Sequence, residues 1–323
     1  MTVNERAART RWGEKRYYSL DYYLKETYGR KLYKIALDGG LTCPNRDGTL
    51  GTGGCIFCSA GGSGDFAGDR SLSITEQLDT GRKLLAKKYQ GDRYIAYFQA
   101  YTGTYGPISR LRQMFTEAVC YPGTEVLSIA TRPDCLPPDV LSLLAELAGR
   151  KPVWVELGLQ TVHQKSADFI RRGYELPVFE QAVTQLRSIG ISVIVHVILG
   201  LPAEDTEAML ASIEYLNTLD IQGIKLSLLH ILKGTALADY YRLHPFPVMT
   251  PEEYLVLLGQ CISRLRPDIV IHRLTGDGPK SLLIEPQWTA NKRLVLNQIQ
   301  SYLKRQDIWQ GRSITNGRTT HSL

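Results

Sequence analysis

Cys43, Cys55 and Cys58 stand in the segment CPNRDGTLGTGGCIFC, a C-x11-C-x2-C spacing that offers three thiolates to one metal centre. A closed tetrahedral zinc site takes four protein ligands, and an iron-sulfur cluster kept for electron transfer takes four cysteines. Three thiols on one loop leave one iron of a 4Fe-4S cluster open, where a small molecule can bind through N and O atoms. A zinc loop or three unrelated core cysteines are the plainer alternatives. Gly48, Gly51, Gly53, Gly54, Gly61, Gly62 and Gly64 surround the thiols, and glycine both admits positive φ and lets backbone N–H groups approach sulfur. Phe57, directly before Cys58, is suited to shield one face of a cluster from water. Cys120, Cys135 and Cys261 are scattered at no metal spacing and read as buried thiols.

The elements that must position this loop are legible in the hydrophobic pattern. Apolar, β-branched runs suggest strands at 33–37, 94–98, 125–130, 153–157, 192–199 and 223–228. Helical spacing fills the gaps at 74–89, 108–119, 140–147, 178–189 and 207–219, with a sixth helix at 251–265. Strands alternating with helices predict an α/β fold with a parallel sheet, and the length favours a partial (β/α)6 TIM-like barrel over an open sheet. Ligands of such folds gather at the carboxyl ends of the strands, and the cysteine loop follows the first strand. The chain divides into a basic N-terminal extension (1–30), a barrel core (31–266), a C-terminal substrate-side extension (267–311) and a tail (312–323) that reads as disordered.

Composition sets the outer bounds. The 323 residues are 43% hydrophobic and 22% charged, with a net charge of +6, ordinary values for a globular protein. The charged first residues and the lack of any long apolar run point to a cytoplasmic protein without a membrane segment. Six cysteines are too few for a disulfide scaffold, and a reducing compartment keeps them free for metal.

Other residues stand out against their surroundings. Glu156 lies inside an apolar strand, where a carboxylate is costly unless it is ion-paired or bonded to a ligand. In GIKLSLLHILKGT, Lys225 and Ser227 alternate toward one face, with His230 just beyond. Arg132 in TRPDC is placed either to grip a substrate carboxylate or to make a strand-end salt bridge. In the C-terminal extension, His272, Arg273, Lys280, Trp288, Lys292 and Arg293 mix cations with an aromatic, a combination that holds phosphates and stacks an unpaired base. The alternative for Trp288 is an anchor onto the barrel core.

A three-cysteine loop after the first strand of a six-strand partial barrel resembles the radical S-adenosylmethionine superfamily. The resemblance implies a 4Fe-4S cluster whose open iron chelates S-adenosylmethionine, with reductive cleavage giving a 5'-deoxyadenosyl radical. It further implies that Gln99, Thr102 and Thr104 in YFQAYTGTYGP contact the methionine amino group. Glu156 and Gln160 in VELGLQT then lie at the ribose, and HVILGLPAED near the adenine; Lys225 joins these cofactor-side candidates. No residue is assigned as catalytic.

Longer phrases, LDGGLTCPNRDG, FQAYTGTYGP, TRPDCLP, VELGLQT, HILKGT, HRLTGDGP, LIEPQW and NKRLVLNQI, resemble a bacterial family related to the elongator catalytic subunit. That resemblance implies modification of wobble uridine in tRNA, with a carboxymethylaminomethyl group at carbon 5 trimmed to aminomethyl. It also implies a reductant such as flavodoxin or ferredoxin and a methyltransferase acting next. Arg132, His230, Arg273 and Trp288 are the substrate-side candidates. Other readings are a radical enzyme on a small metabolite or porphyrin, and a non-catalytic iron-sulfur protein that binds RNA or senses redox state.

Overall fold

The computed structural model describes residues 11–87, 89–276 and 278–315. Its sheet is built from β1 (Tyr33–Leu37), β2 (Tyr94–Phe98), β3 (Thr124–Thr131), β4 (Val153–Gln160), β5 (Ser192–Leu199) and β6 (Gly223–Leu228), with a seventh strand, β8 (Val270–Arg273), at the edge. The order β1-β2-β3-β4-β5-β6-β8 follows the chain, and every neighbouring pair is parallel. A sheet wound in one direction with helices on its outer face curves into a partial barrel. The expected six-strand barrel is present, and β8 extends it from the segment assigned to the C-terminal extension.

The outer layer comprises α2 (Ile74–Ala86), α3 (Ile108–Cys120), α4 (Pro138–Ala148), α6 (Leu176–Ser188), α7 (Thr206–Leu216) and α9 (Pro251–Arg264). Their starts are chemically specified: Ser73 with Glu76 and Thr250 with Glu253 form capping boxes, each satisfying N–H groups that a helix terminus leaves orphaned. The short α5 (Gln164–Phe169) and α8 (Ala236–Leu243) lie in the loops after β4 and β7 (Ile231–Leu232). β7 pairs antiparallel with β9 (Leu283–Glu285), and α10 (Lys292–Arg305) buries Val295, Ile299 and Leu303 in the main core.

Along each strand one set of side chains faces the helices and the alternate set faces the barrel interior. Val155, Leu157, Val193, Val195, Leu226 and Leu228 belong to the large apolar core under the helices. Inside, Ile95, Val126, Trp154 and Ile194 form a separate apolar plug with Leu24 and Leu32. Leu24 comes from α1 (Leu20–Tyr28), which closes the amino end of the barrel and is fixed there by a bridge between Ser19 and Ile271. One step higher in β2, β4 and β5, the interior positions are Tyr97, Glu156 and His196, and polarity replaces the plug.

The tail expected to be disordered from 312 begins as a helical turn, α11 (Arg312–Thr315). Gly311 N–H donates to Ile262 O and the Arg312 guanidinium donates to Asp307 O, so the segment is held by the core. The rest of that expectation, and the basic residues before 11, lie outside the described residues.

Candidate active site

The cysteine loop is held by side chains rather than by regular structure. Asn45, 6% exposed, donates from Nδ2 to Arg171 O at 2.8 Å and to Cys55 Sγ at 3.4 Å. Arg46 donates to the carbonyls of Ser59 and Cys58 at 2.6 and 3.2 Å, and Ser59 is tied to Asp65. Ser63 Oγ lies 3.4 Å from Cys58 Sγ. The polar partners of these thiols are thus Asn45 and the Arg171 carbonyl for Cys55 and the Ser63 hydroxyl for Cys58. Glycine serves the loop differently: Gly62 has φ +58° and faces the Tyr101 ring so closely that a Cβ there would enter it.

Cys43, Cys55 and Cys58 line one cavity of about 270 Å³ with Phe57. Among the described residues no three Cys, His, Asp or Glu side chains are grouped as ligands of a single metal ion. A multinuclear cluster instead takes one cysteine per iron. Burial, with Cys58 alongside, pushes the Cys55 thiol up to about 12, so it keeps its proton at neutral pH unless a metal displaces it.

The cavity floor is a charged cluster with one residue from each strand of the six-strand core. Glu156 on β4, 1% exposed, accepts at Oε1 from Lys34 Nζ of β1 at 2.8 Å and from Ser128 Oγ of β3 at 2.9 Å. Its Oε2 accepts from His196 Nε2 of β5 at 2.8 Å and from the Lys225 ammonium of β6. Lys225 also donates to the Tyr97 hydroxyl of β2 at 3.2 Å. Burial opposes the Glu156 charge, yet Lys225, Lys34 and His196 together outweigh it and hold its pKa well below the carboxylate range. Burial likewise drives Lys225 well below the usual lysine value.

The rim carries the remaining polar groups. Gln99 Nε2 donates to Ser63 O at 2.8 Å, joining the end of β2 to the cysteine loop. Gln160 ends β4 in a left-handed conformation, φ +67°, a strained state for a residue with a side chain. Arg132 is paired with Asp134 through two contacts of 2.9 and 2.7 Å, so the salt-bridge alternative holds, although the side chain still lines the cavity. Arg172, 2% exposed, donates to the carbonyls of Tyr174, Leu159 and Thr161. Its Nη2 is buried without a partner, and the residue faces the cavity.

Of the thirteen residues singled out from sequence, ten line this one cavity: the three cysteines, Gln99, Thr102, Arg132, Glu156, Gln160, His230 and Arg273. Three do not. Thr104 points away, its hydroxyl bonded to Thr131 and to Cys135 O at 2.5 Å each. Lys225 is buried beneath Glu156. Trp288 donates its indole N–H to Met249 O at 2.9 Å and packs on Tyr254, as the anchor alternative anticipates. Sequence reasoning missed Tyr97, His196, Arg172 and Tyr101, which line the cavity.

The Radical SAM superfamily model matches residues 47–216. The chain belongs to the radical S-adenosylmethionine superfamily. A Radical_SAM C-terminal domain model matches residues 221–305. An uncharacterized Bacillus subtilis protein, YtqA, is 44% identical over 93% of both chains. A tRNA uridine(34) acetyltransferase of Methanocaldococcus jannaschii is 23% identical over 49% of this chain and 29% of its own. The archaeal Methanocaldococcus infernus Elp3 shares the fold, with a TM-score of 0.65 at 16% identity over 86% of this chain; the chain spans 64% of that structure.

As a radical S-adenosylmethionine enzyme the protein uses a 4Fe-4S cluster, S-adenosylmethionine and a one-electron reductant. The residues present fit both groups. Three free thiols share a wall of the cavity, and the orphaned Arg172 Nη2 is a buried donor suited to a carboxylate. Among the described residues no helix is long and apolar enough to cross a membrane.

Proposed function

We propose that this enzyme remodels the side chain at carbon 5 of the wobble uridine in tRNA, trimming carboxymethylaminomethyl to aminomethyl. The observation that carries the reading is the match to a tRNA uridine(34) acetyltransferase over 49% of the chain. The fold shared with Elp3 is consistent with it. When bound to Cys43, Cys55 and Cys58, the cluster and S-adenosylmethionine would supply hydrogen-atom abstraction from the C–H bond beside the arm's nitrogen, which acid–base groups cannot achieve; return of one electron from the substrate to the cluster and addition of water would then release the two-carbon unit as glyoxylate and leave aminomethyl.

The chain's own residues supply position. Arg172 holds the carboxylate of the cofactor, and Gln99, Thr102 and Gln160 orient its polar groups at the strand ends. Phe57, Ile198 and Leu229 keep that side of the cavity apolar. The cations Arg46, Arg132, Arg172 and Arg273 along the walls favour an anionic arm on the substrate. The reductant is of the flavodoxin or ferredoxin type, and the aminomethyl product is passed to a methyltransferase.

Nucleoside analysis of tRNA from a strain lacking this chain tests the reading. Carboxymethylaminomethyluridine should accumulate and its methylaminomethyl successor should disappear. Unchanged wobble nucleosides reject the assignment.

A further inference from the structure

His196 has one nitrogen committed and one open. Nε2 lies 2.8 Å from Glu156 Oε2, and an ionised carboxylate only accepts, so Nε2 carries the hydrogen. Nδ1 is then a bare acceptor. Among the described residues no donor reaches it, while the ring lines the cavity and is 27% exposed. Burial, reinforced by the charge of Lys225, lowers the His196 pKa to about 4. The imidazole therefore stays neutral at physiological pH, and Glu156 fixes its tautomer.

The surroundings make this acceptor unusual. Facing it are Lys34 from β1, Tyr97 from β2, Glu156 from β4, Lys225 from β6, and His272 and Arg273 from β8. Both Glu156 oxygens are occupied by Lys34, Ser128, His196 and Lys225. The other charged side chains on the cavity walls beside His196 are mainly arginines, which only donate. A ligand reaching this depth therefore meets an open imidazole acceptor beside the cations Lys34, Lys225 and Arg273, with the Ser227 hydroxyl and the Gln160 amide as uncharged polar groups of the same lining. That pattern suits an N–H group flanked by an acid.

We propose that His196 Nδ1 accepts a hydrogen bond from the substrate's amine, the secondary amine of a carboxymethylaminomethyl arm whose carboxylate lies toward the arginines. The assignment rests on the function proposed above. Glu156 acts through His196 as a positioning residue, holding the ring so that Nδ1 faces the cavity.

The test is equilibrium binding to cluster-loaded, unreduced protein with S-adenosylmethionine present. Two anticodon stem-loop RNAs serve as probes, one with carboxymethylaminomethyluridine and one with plain uridine at the wobble position. Wild type should prefer the modified RNA by more than tenfold, about tenfold of it being the scale of one hydrogen bond involving a charged partner and the rest the carboxylate beside the arginines. His196→Gln keeps a donor for Glu156 but offers no acceptor at the δ position, and should lose about tenfold of that preference while keeping the part that the arginines supply. His196→Asn, with an acceptor near that position, should recover part of the preference.

A His196→Gln protein that discriminates as wild type does overturns the amine subsite alone. So does a variant that loses S-adenosylmethionine affinity without RNA yet keeps the preference, because the acceptor then serves the cofactor. If wild type itself shows no preference, the proposed function fails and the subsite falls with it.

Discussion

Replacing Glu156 with Gln removes one negative charge from the centre of the barrel while preserving the side chain's shape. The wild-type carboxylate is inaccessible, with Lys34 and His196 each 2.8 Å away and the Lys225 ammonium against it. In Glu156→Gln, Lys225 is left 4% exposed in its side chain with the Tyr97 hydroxyl as a neutral neighbour. Removing one member of a buried ion pair costs about 3–5 kcal/mol, and the lack of solvent around Lys225 places this case in that range. In a chain of this size the melting temperature should fall by on the order of 10 °C.

The pH dependence has a definite sign. The folded pKa of Glu156 is depressed, so its stabilisation is present above the unfolded carboxyl value of about 4.3 and is lost as pH falls through the folded pKa. The gap between wild type and Glu156→Gln should therefore narrow in acid. Lys225→Met, alone and combined with Glu156→Gln, completes a double-mutant cycle measured by chemical denaturation. The double variant should cost less than the sum of the singles by about 1 kcal/mol or more. Additive losses, or a Glu156→Gln protein as stable as wild type, would refute the claim that this pair is the electrostatic centre of the floor.

Three further outcomes follow from the site. Cys55→Ala should lose the visible absorption of the cluster and release no 5'-deoxyadenosine with dithionite, and a coloured, active variant would remove Cys55 from the ligand set. Arg172→Lys should weaken S-adenosylmethionine binding by about tenfold, since a point charge replaces a planar fork, while leaving the iron content unchanged; unaltered affinity in calorimetry argues against the carboxylate contact. Gln160→Gly relieves a left-handed backbone, φ +67°, worth on the order of 1 kcal/mol. It should therefore retain or gain thermal stability while binding the cofactor more weakly, and a clear loss of stability contradicts the strain argument.

The sheet and the thiol wall were legible because each leaves a local signature. The six core strands show as short apolar runs, and four of them, β1, β2, β5 and β6, match their expected bounds. β4 runs on to Gln160, beyond the expected end at 157, because its last residues continue the pairing with β5 through an irregularity at Gly158. β8 is only four residues long and follows a helix without a strong alternating pattern, so its pairing with β6 is a long-range fact.

The floor was half visible. Glu156 and Lys225 stood out as charges in apolar strands. His196 in SVIVHVIL and Lys34 in YKIAL give the same signal, a polar residue at an interior position of an apolar strand. Applied to every strand, that rule would have found the whole cluster. Arg172 leaves no such trace: it stands beside Arg171 in a loop, and only the fold makes one exposed and the other buried. Thr104 misled because a strand-end threonine can turn inward or outward, and Thr131 and Cys135 draw it outward.

Trimming of the wobble uridine is tested most directly by incubating anaerobically reconstituted protein with S-adenosylmethionine, dithionite and tRNA bearing carboxymethylaminomethyluridine, then measuring both products by mass spectrometry. Aminomethyluridine at the wobble position is expected together with 5'-deoxyadenosine. Formation of 5'-deoxyadenosine with the wobble uridine unchanged would contradict the assignment.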